Sequence, residues 1–135
     1  MKPIRVVVQG AFGRVGREVV SALCREPETE IVGAVELNVS GAELSLPDGS
    51  GSVPLSSDLD SLLSSTQPEV LVDFTTAKAT MPAVRTATKR GVNLVIGTTG
   101  LTPADIEEIE HLAEAHKVGA VVAPNFALGL SLIHI

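Results

Sequence analysis

The amino-acid sequence predicts an α/β fold with a doubly wound parallel sheet. Short runs of β-branched and aliphatic residues recur along the 135 residues, each followed by a polar or glycine-rich turn and a helical pattern. These apolar runs do not alternate with polar residues, so we expect parallel strands that helices cover on both faces. Right-handed crossovers between such strands favour the doubly wound arrangement over other topologies.

The first part of the chain contains two predicted strands, residues 4–8 and 31–35, joined by a helix from residue 13 to about residue 26. Helical spacing places four aliphatic side chains on one stripe of that helix, namely Val15, Val19, Val20 and Leu23. The next segment, residues 38–54, is rich in Gly, Ser and Pro, and we expect a long surface loop there.

The second part of the chain continues the alternation of strands and helices. A short helix is predicted for residues 57–64, with Asp58 near its start, and a longer one for residues 78–90. Thr102 and Pro103 are typical of an N-cap and a first helical residue. The buried stripe of the helix that they start is predicted to contain Ile106, Ile109, Leu112 and Ala113. Strands are predicted for residues 69–75, 93–96 and 119–123.

The composition and charge indicate a globular protein without affinity for nucleic acid. Hydrophobic residues make up 44% of the chain and charged residues 19%, as expected of a globular fold. The net charge is −6, opposite in sign to the surface that collects nucleic acid. The apolar segment 118–135 is interrupted by Pro124 and Asn125, and the start lacks the layout of a signal peptide. We therefore expect no membrane span and a cytoplasmic location.

The segment GAFGRVG, residues 10–16, lies between the first predicted strand and the first helix. Free backbone N–H groups and the helix dipole favour a bound pyrophosphate at such a position. Gly10 would allow a tight turn, Gly13 a close approach of phosphate to backbone, and Gly16 close packing of helix on sheet. The common fingerprint is G-x-G-x-x-G, whereas this segment is G-x-x-G-x-x-G with Phe12 at a glycine position. Taken alone, it is equally compatible with a turn that binds no ligand.

Glu36 supplies a second feature of a Rossmann-type dinucleotide-binding domain. It stands at the end of the second predicted strand, about 20 residues after the last glycine, where a carboxylate can bind the adenosine ribose. The alternative is a solvated charge at a strand end. Leu37 follows it, which leaves Arg14 as the nearby cation for a 2′-phosphate. The expected cofactor is NADH or NADPH, with NADH favoured.

Four segments of the chain resemble one known family. GAFGRVG, VDFT, VIGTTG and APNFALG, in this order and spacing, are similar to the amino-terminal domain of the 4-hydroxy-tetrahydrodipicolinate reductase (dihydrodipicolinate reductase) family. The resemblance covers residues 2–129. It implies the cofactor-binding part of an NAD(P)H-dependent oxidoreductase that reduces a cyclic dicarboxylate in the diaminopimelate route to lysine.

The resemblance also implies which residues bind the cofactor. The pyrophosphate would lie against residues 10–15, and Glu36 would bind the adenosine ribose. Residues 97–99 would border the nicotinamide and the entrance for the substrate, and residues 123–126 would lie beside the nicotinamide ring. The implied cofactor-binding residues are Gly10, Ala11, Phe12, Gly13, Arg14, Val15, Glu36, Gly97, Thr98, Thr99, Ala123, Pro124, Asn125 and Phe126.

The catalytic residues of the family are expected to lie outside this chain. Family members continue into a second domain with a His-His motif, a nearby lysine and an S-G-T segment for the substrate carboxylates. We expect that domain to be absent here, so that the chain alone is inactive, and we expect the full-length protein to be a homo-oligomer. His111 and His116 are five residues apart on a predicted helix, a poor spacing for one metal ion, and we expect no metal site.

Two other interpretations remain open. The chain could be the nucleotide domain of another two-domain reductase, of the aspartate or homoserine dehydrogenase type, although GTTG followed shortly by APNF argues against it. It could also be a non-catalytic dinucleotide sensor, which would bind the cofactor without reductase activity.

The last six residues, LSLIHI, have a second interpretation besides the continuation of the preceding apolar segment. The hexapeptide is the translation of the transposon-end adapter used in sequencing libraries, and the family resemblance fades after Gly129. We therefore expect residues 1–129 to form the NAD(P)-binding domain and residues 130–135 to be a non-native tail.

Overall fold

Seven strands form one sheet in the computed structural model, which describes residues 2–36 and 43–123. The strands are β1 (Ile4–Gln9), β2 (Thr29–Val35), β3 (Glu43–Ser45), β4 (Ser52–Ser56), β5 (Val70–Asp73), β6 (Asn93–Ile96) and β7 (Ala120–Val122). The helices are α1 (Arg14–Arg25), α2 (Leu59–Thr66), α3 (Ala77–Lys89) and α4 (Pro103–His116). The strand order is β3-β4-β2-β1-β5-β6-β7.

The sheet is doubly wound, as predicted. Every pair of neighbouring strands is parallel except β3 and β4. One hydrophobic cluster joins α1 to one face, and a second joins α2, α3 and α4 to the other face. The chain passes from β1 to β2 on one side and later returns to β5 on the other side of β1. The strand order therefore reverses between β1 and β5, the place where ligands bind in sheets of this type.

The prediction of one long loop over residues 38–54 was wrong at residues 43–45 and 52–54, which lie in strands, and correct at residues 46–51. Residues 43–45 and 52–56 form an antiparallel hairpin, and β4 also pairs with β2 and so extends the sheet. Val53 and Leu55 are buried, whereas Ser52 and Pro54, which alternate with them, are exposed. This alternation is the signature of a strand. The high Gly, Ser and Pro content belongs to the turn, where Gly49 and Gly51 have φ of +77° and +134°.

The helices begin and end close to the predicted residues. The predicted N-cap at Thr102 is confirmed, since its side chain accepts a hydrogen bond from the Asp105 backbone N–H and Asp105 reciprocates. The predicted buried stripe of α4 is wrong at one position, because Ile106 is 36% exposed while Ile109 and Ala113 are buried. Ile106 stands near the start of α4, which begins at Pro103.

Some predictions concern residues outside the described ranges. Pro124, Asn125 and Phe126 lie there, as does the segment 130–135 that we expect to be non-native. Within residues 2–36 and 43–123, no helix combines the length and apolar character needed to cross a membrane.

Gly16 holds α1 against the end of β1. A Cβ at position 16 would lie 1.8 Å from the Gly10 carbonyl oxygen, so only glycine allows this approach. The structure confirms the close helix–sheet packing predicted for this glycine. Gly13 is different, because its φ is −67° and a Cβ there would meet only the Gly10 oxygen, at 3.5 Å.

We expect Gly16→Ala to destabilise the chain by about 3 kcal/mol, since the overpacked atom is backbone that cannot rotate away. Gly13→Ala is the matched control and should cost less than about 1 kcal/mol, as the exchange of one N-cap residue for another. Urea unfolding of the two variants and the unmodified chain measures both values. Equal losses would show that the contact between Gly16 and Gly10 does not constrain the fold.

Candidate functional site

The carboxyl ends of the parallel strands meet at one edge of the sheet. A cavity of about 540 Å³ opens there, between the end of β1, the end of β2 and the starts of α2 and α3. Gly10 and Glu36 line it on one side, and Thr75 and Thr76 line it on the other. The cavity thus lies at the reversal of strand order between β1 and β5.

Gly10 is required by the shape of this edge. Its φ is +87°, a conformation that side chains rarely adopt. A Cβ at position 10 would also lie 2.8 Å from the Thr75 methyl group and 3.0 Å from the Phe74 carbonyl oxygen. The chain therefore turns sharply after β1 and lies directly against the loop that follows β5.

The N-terminus of α1 is left open to a ligand. Its N-cap is Gly13, with no side-chain cap and no acidic residue in the first turn. The side chains of Asp58, Thr76 and Thr102, by contrast, each accept a hydrogen bond from the first turn of α2, α3 and α4. The free N–H groups of α1 and the positive end of its dipole suit an anion.

A Cβ at Gly13 would meet only the Gly10 carbonyl oxygen, at an ordinary contact distance of 3.5 Å. The φ of Gly13 is also ordinary, so neither its backbone conformation nor its protein neighbours require glycine. A glycine at this position keeps clear the approach to the first turn of α1. The protein fold itself gains nothing from that clearance.

Glu36 lies beside the glycine segment, as the sequence predicts. Its Oε1 atom accepts a hydrogen bond from the Phe12 backbone N–H at 2.6 Å. Its own backbone N–H donates to the Ser56 carbonyl oxygen at 3.1 Å, which fixes the end of β2 against β4. The Phe12 side chain is 44% exposed and does not fill the cavity. The structure therefore brings the glycine segment and the ribose-binding candidate together.

The cavity wall is acidic. Asp58 and Asp60 line it together with Glu36. Asp60 is paired with Arg90 at 2.7 Å, which holds the pKa of its carboxyl below the ordinary value. Asp58 caps α2 by accepting from the Ser61 backbone N–H at 3.2 Å. The charges of Glu36 and Asp58 have no cationic partner among the described residues.

The sequence interpretation used the segment VDFT for the family resemblance but assigned no role to its acid, Asp73. Its side chain lies at the end of β5 and is 1% exposed. Oδ1 accepts from the Thr75 hydroxyl at 2.7 Å, the Thr75 backbone N–H at 3.1 Å and the Gln9 amide at 3.4 Å. Oδ2 accepts from the Thr80 hydroxyl at 2.5 Å. The signal in the sequence was an acid closing an apolar strand, followed by several threonines.

Burial raises the pKa of Asp73 above its ordinary value, and the hydrogen bonds from Thr80, Thr75 and Gln9 oppose that rise. A charged group at 1% exposure needs these donors to be tolerated. The carboxyl therefore depends on three segments of the chain, namely β1, the loop after β5, and α3.

The segment after β6 contains Gly97, Thr98 and Thr99. Gly97 donates its backbone N–H to the Asp73 carbonyl oxygen at 2.8 Å, and a Cβ there would lie 2.0 Å from the Phe74 ring. Thr98 is buried at 2% exposure, with its hydroxyl 2.7 Å from that of Thr80. Thr99 is exposed. The Phe74 ring thus requires glycine at position 97.

Ala123 continues the same edge. Its backbone N–H donates to the Ile96 carbonyl oxygen at 2.7 Å, which places the end of β7 beside the end of β6. Pro124, Asn125 and Phe126 follow outside the described residues. The structure therefore gathers Gly10–Val15, Glu36, residues 97–99 and Ala123 along one edge.

Histidines do not form a metal centre in the described ranges. His111 and His116 are both exposed on α4. No group of His, Cys, Asp and Glu within residues 2–36 and 43–123 could hold a metal ion.

The raised pKa of Asp73 predicts how stability changes with pH. Between the unfolded-state pKa, about 3.9, and the higher folded-state pKa, the folded chain binds more protons than the unfolded chain. The Asp73 contribution to the free energy of unfolding is therefore largest below the unfolded pKa and is lost as the pH rises through the folded pKa. Asp73→Asn removes this titration.

The melting temperatures of both proteins, compared between about pH 4 and pH 8, measure the effect. The unmodified chain minus Asp73→Asn should give a difference that declines with rising pH and then levels off. A difference that increases with pH would mean that the pKa of Asp73 is lowered.

Comparison with known proteins identifies the family. The family described as "Dihydrodipicolinate reductase, N-terminus" matches residues 4–126. The chain is 54% identical over 136 aligned residues to a 4-hydroxy-tetrahydrodipicolinate reductase of Dehalococcoides mccartyi, covering 100% of this chain and 52% of that protein. It is 44% identical to the enzyme of the same name from Moorella thermoacetica, covering 96% of this chain and 49% of that protein. The chain thus spans about half the length of the curated relatives it matches.

Solved structures agree with this result. The dipicolinate-bound dihydrodipicolinate reductase from Paenisporosarcina sp. TG-14 superposes with a TM-score of 0.79 at 34% identity, covering 96% of this chain and 50% of that one. Homoserine dehydrogenase of S. aureus superposes with a TM-score of 0.74 at 20% identity, a likeness of fold alone. The sequence similarity and the family match therefore separate the two candidate reductase classes that share this fold. The chain belongs to the dihydrodipicolinate reductase family and corresponds to its N-terminal part.

Proposed function

We propose that this chain is the cofactor-binding part of an NAD(P)H-dependent 4-hydroxy-tetrahydrodipicolinate reductase. The observation that carries the proposal is the glycine segment. Gly13 lacks a side chain although neither its backbone conformation nor its neighbours require glycine, and this leaves the first turn of α1 accessible. Within residues 2–36 and 43–123, α1 is the one helix whose N-terminus has no side-chain cap. A pyrophosphate fits both features, because it needs close contact with backbone N–H groups.

The remaining parts of the cofactor have candidate positions along the same edge. Glu36 Oε1 is occupied by the Phe12 N–H, and its second oxygen is available to accept from ribose hydroxyls. The cavity between Glu36 and α3 would take the adenosine. The nicotinamide would lie toward residues 97–99 and Ala123, where the ends of β6 and β7 meet.

The bound nicotinamide would supply the hydride for reduction of a cyclic dicarboxylate. The residues of this chain would hold and orient the cofactor. A clamp for the substrate carboxylates and a proton donor are the other requirements of the reaction. We propose that they come from the part of the relatives that this chain does not cover, so that the chain alone is inactive.

NADH is the favoured cofactor on electrostatic grounds. A 2′-phosphate on the adenosine ribose would approach the carboxylate of Glu36, with Asp58 on the same cavity wall. Two like charges at close range disfavour each other. Arg14, exposed at the start of α1, is the nearby cation that could offset them.

We expect the chain to bind NADH at least as tightly as NADPH. Titration of both cofactors, followed by calorimetry, measures the two dissociation constants. Arg14→Ala should weaken NADPH binding more than NADH binding, because only the 2′-phosphate needs the extra cation. A clear preference for NADPH that survives Arg14→Ala would contradict the electrostatic argument.

Gly13→Val should abolish dinucleotide binding while the fold persists, since the branched side chain would occupy the approach to the first turn of α1. Gly119→Val is the matched control, because Gly119 is also exposed and a Cβ there meets only the Asn93 side chain, at 3.6 Å. That control should bind NADH normally. Circular dichroism verifies that both variants are folded. Unchanged affinity in folded Gly13→Val would show that the segment is a plain turn.

A further inference from the structure

A chain of hydrogen bonds runs from the end of β5 to the end of β6 inside the protein. Asp73 Oδ2 accepts from the Thr80 hydroxyl at 2.5 Å, and that hydroxyl lies 2.7 Å from the Thr98 hydroxyl. Asp73, Thr80 and Thr98 are each at most 2% exposed. The three side chains therefore form one connected, water-excluded set beneath the edge of the sheet.

The same carboxyl group is tied to the glycine segment. Its Oδ1 accepts from Gln9, the last residue of β1, and from Thr75. The Thr75 methyl group in turn packs against Gly10, only 2.8 Å from where a Cβ at that position would be. The side chain of Asp73 thus contacts β1, the loop after β5 and α3 directly, and it reaches the segment after β6 through Thr80.

The donors and acceptors around Asp73 fix the direction of this chain of hydrogen bonds. An ionised carboxylate only accepts, so Thr80 must donate its single hydroxyl hydrogen to Oδ2. The short contact between Thr80 and Thr98 then requires Thr98 to donate to Thr80. The hydrogen of the Thr98 hydroxyl is therefore committed to the interior, and the Thr98 side chain is held in one orientation.

We propose that Asp73 is a positioning residue for the nicotinamide end of the cofactor site, acting through Thr80 on Thr98 and the segment 97–99. This inference rests on the proposed function. A purely structural role is a poorer explanation, because burying a carboxylate is costly and an apolar side chain would fill the same space at lower cost. In return for that cost, one group joins β1, the loop after β5 and α3, and through Thr80 it orients Thr98.

The test separates the two ends of the cofactor. NADH contains the nicotinamide, whereas ADP-ribose has the same adenosine, pyrophosphate and second ribose without it. Thr80→Val keeps the shape of the buried side chain but removes the hydroxyl that joins Asp73 to Thr98. Thr80→Ser is the matched control, since it keeps the hydroxyl.

Dissociation constants of NADH and ADP-ribose are measured by calorimetry for the 135-residue chain and both variants. Thr80→Val should weaken NADH binding about tenfold, the effect of one buried hydrogen bond, and change ADP-ribose binding less than about twofold. Thr80→Ser should bind NADH as tightly as the unmodified chain does. Should Thr80→Val fail to fold, Asp73→Asn is the second variant. Its amide oxygen must face the N–H donors at the Oδ1 position, so its NH₂ group faces Thr80 and reverses the chain of hydrogen bonds.

Each outcome decides the proposal. Equal weakening of both ligands in folded Thr80→Val would assign Asp73 a general structural role and overturn the inference. Unchanged NADH affinity in that variant, or in Asp73→Asn, would overturn it as well. If the unmodified chain binds neither ligand, the proposed dinucleotide site is wrong and the inference falls with it. If the unmodified chain binds NADH and ADP-ribose but the variants do not lose NADH affinity selectively, the proposed function stands and the role proposed for Asp73 is wrong.

Discussion

The contact between Gly16 and the Gly10 carbonyl oxygen is the constraint on which the cofactor edge depends. A Cβ at position 16 would lie 1.8 Å from that oxygen. Because Gly16 has no side chain, α1 can start directly over the end of β1. Gly10 in turn needs its positive φ to make the turn. The two glycines together place the uncapped N-terminus of α1 at the reversal of strand order. At such a position the connections to the neighbouring strands run to opposite sides and leave a crevice between them.

Electrostatics at this edge divides between a surface part and a buried part. At the surface, the open N-terminus of α1 attracts an anion, while Glu36 and Asp58 make the adjoining cavity acidic. In the interior, burial raises the pKa of the Asp73 carboxyl group. The net charge of −6 makes the local backbone donors more important, since the protein as a whole does not attract a dinucleotide. In the proposed function, recognition of the pyrophosphate would therefore depend on short-range contacts with these donors.

Much of the fold could be predicted from the sequence because its signals are local. Apolar runs gave β1, β2, β5, β6 and β7, and cap residues such as Thr102 marked the start of a helix. The hairpin of β3 and β4 was missed because the glycines and serines of its turn obscured the alternation of short strands on either side. Ile106 was misplaced because periodicity gives the face of a helix but not how much of each turn the rest of the protein covers.

The site divides in the same way. Gly10, Gly13, Gly16 and Glu36 stand in a spacing that has a physical reason, so the sequence could place them beside one another. The network of Asp73, Thr80 and Thr98 could not be found by spacing, because its members come from β5, α3 and the segment after β6. Their proximity is a product of strand order. A buried acid at the end of an apolar strand is the signal that would have directed attention to it.

The most direct test of the account is a map of amide chemical shifts while the ¹⁵N-labelled chain is titrated with NADH. We expect the largest changes at the backbone N–H groups of Arg14 and Val15, in the first turn of α1, with further changes at Glu36 and in residues 97–99. A second cavity, of about 440 Å³, lies at the opposite edge of the sheet beside Lys89 and Arg90. Changes concentrated there, with the glycine segment unaffected, would contradict the claim that this edge of the sheet binds the cofactor.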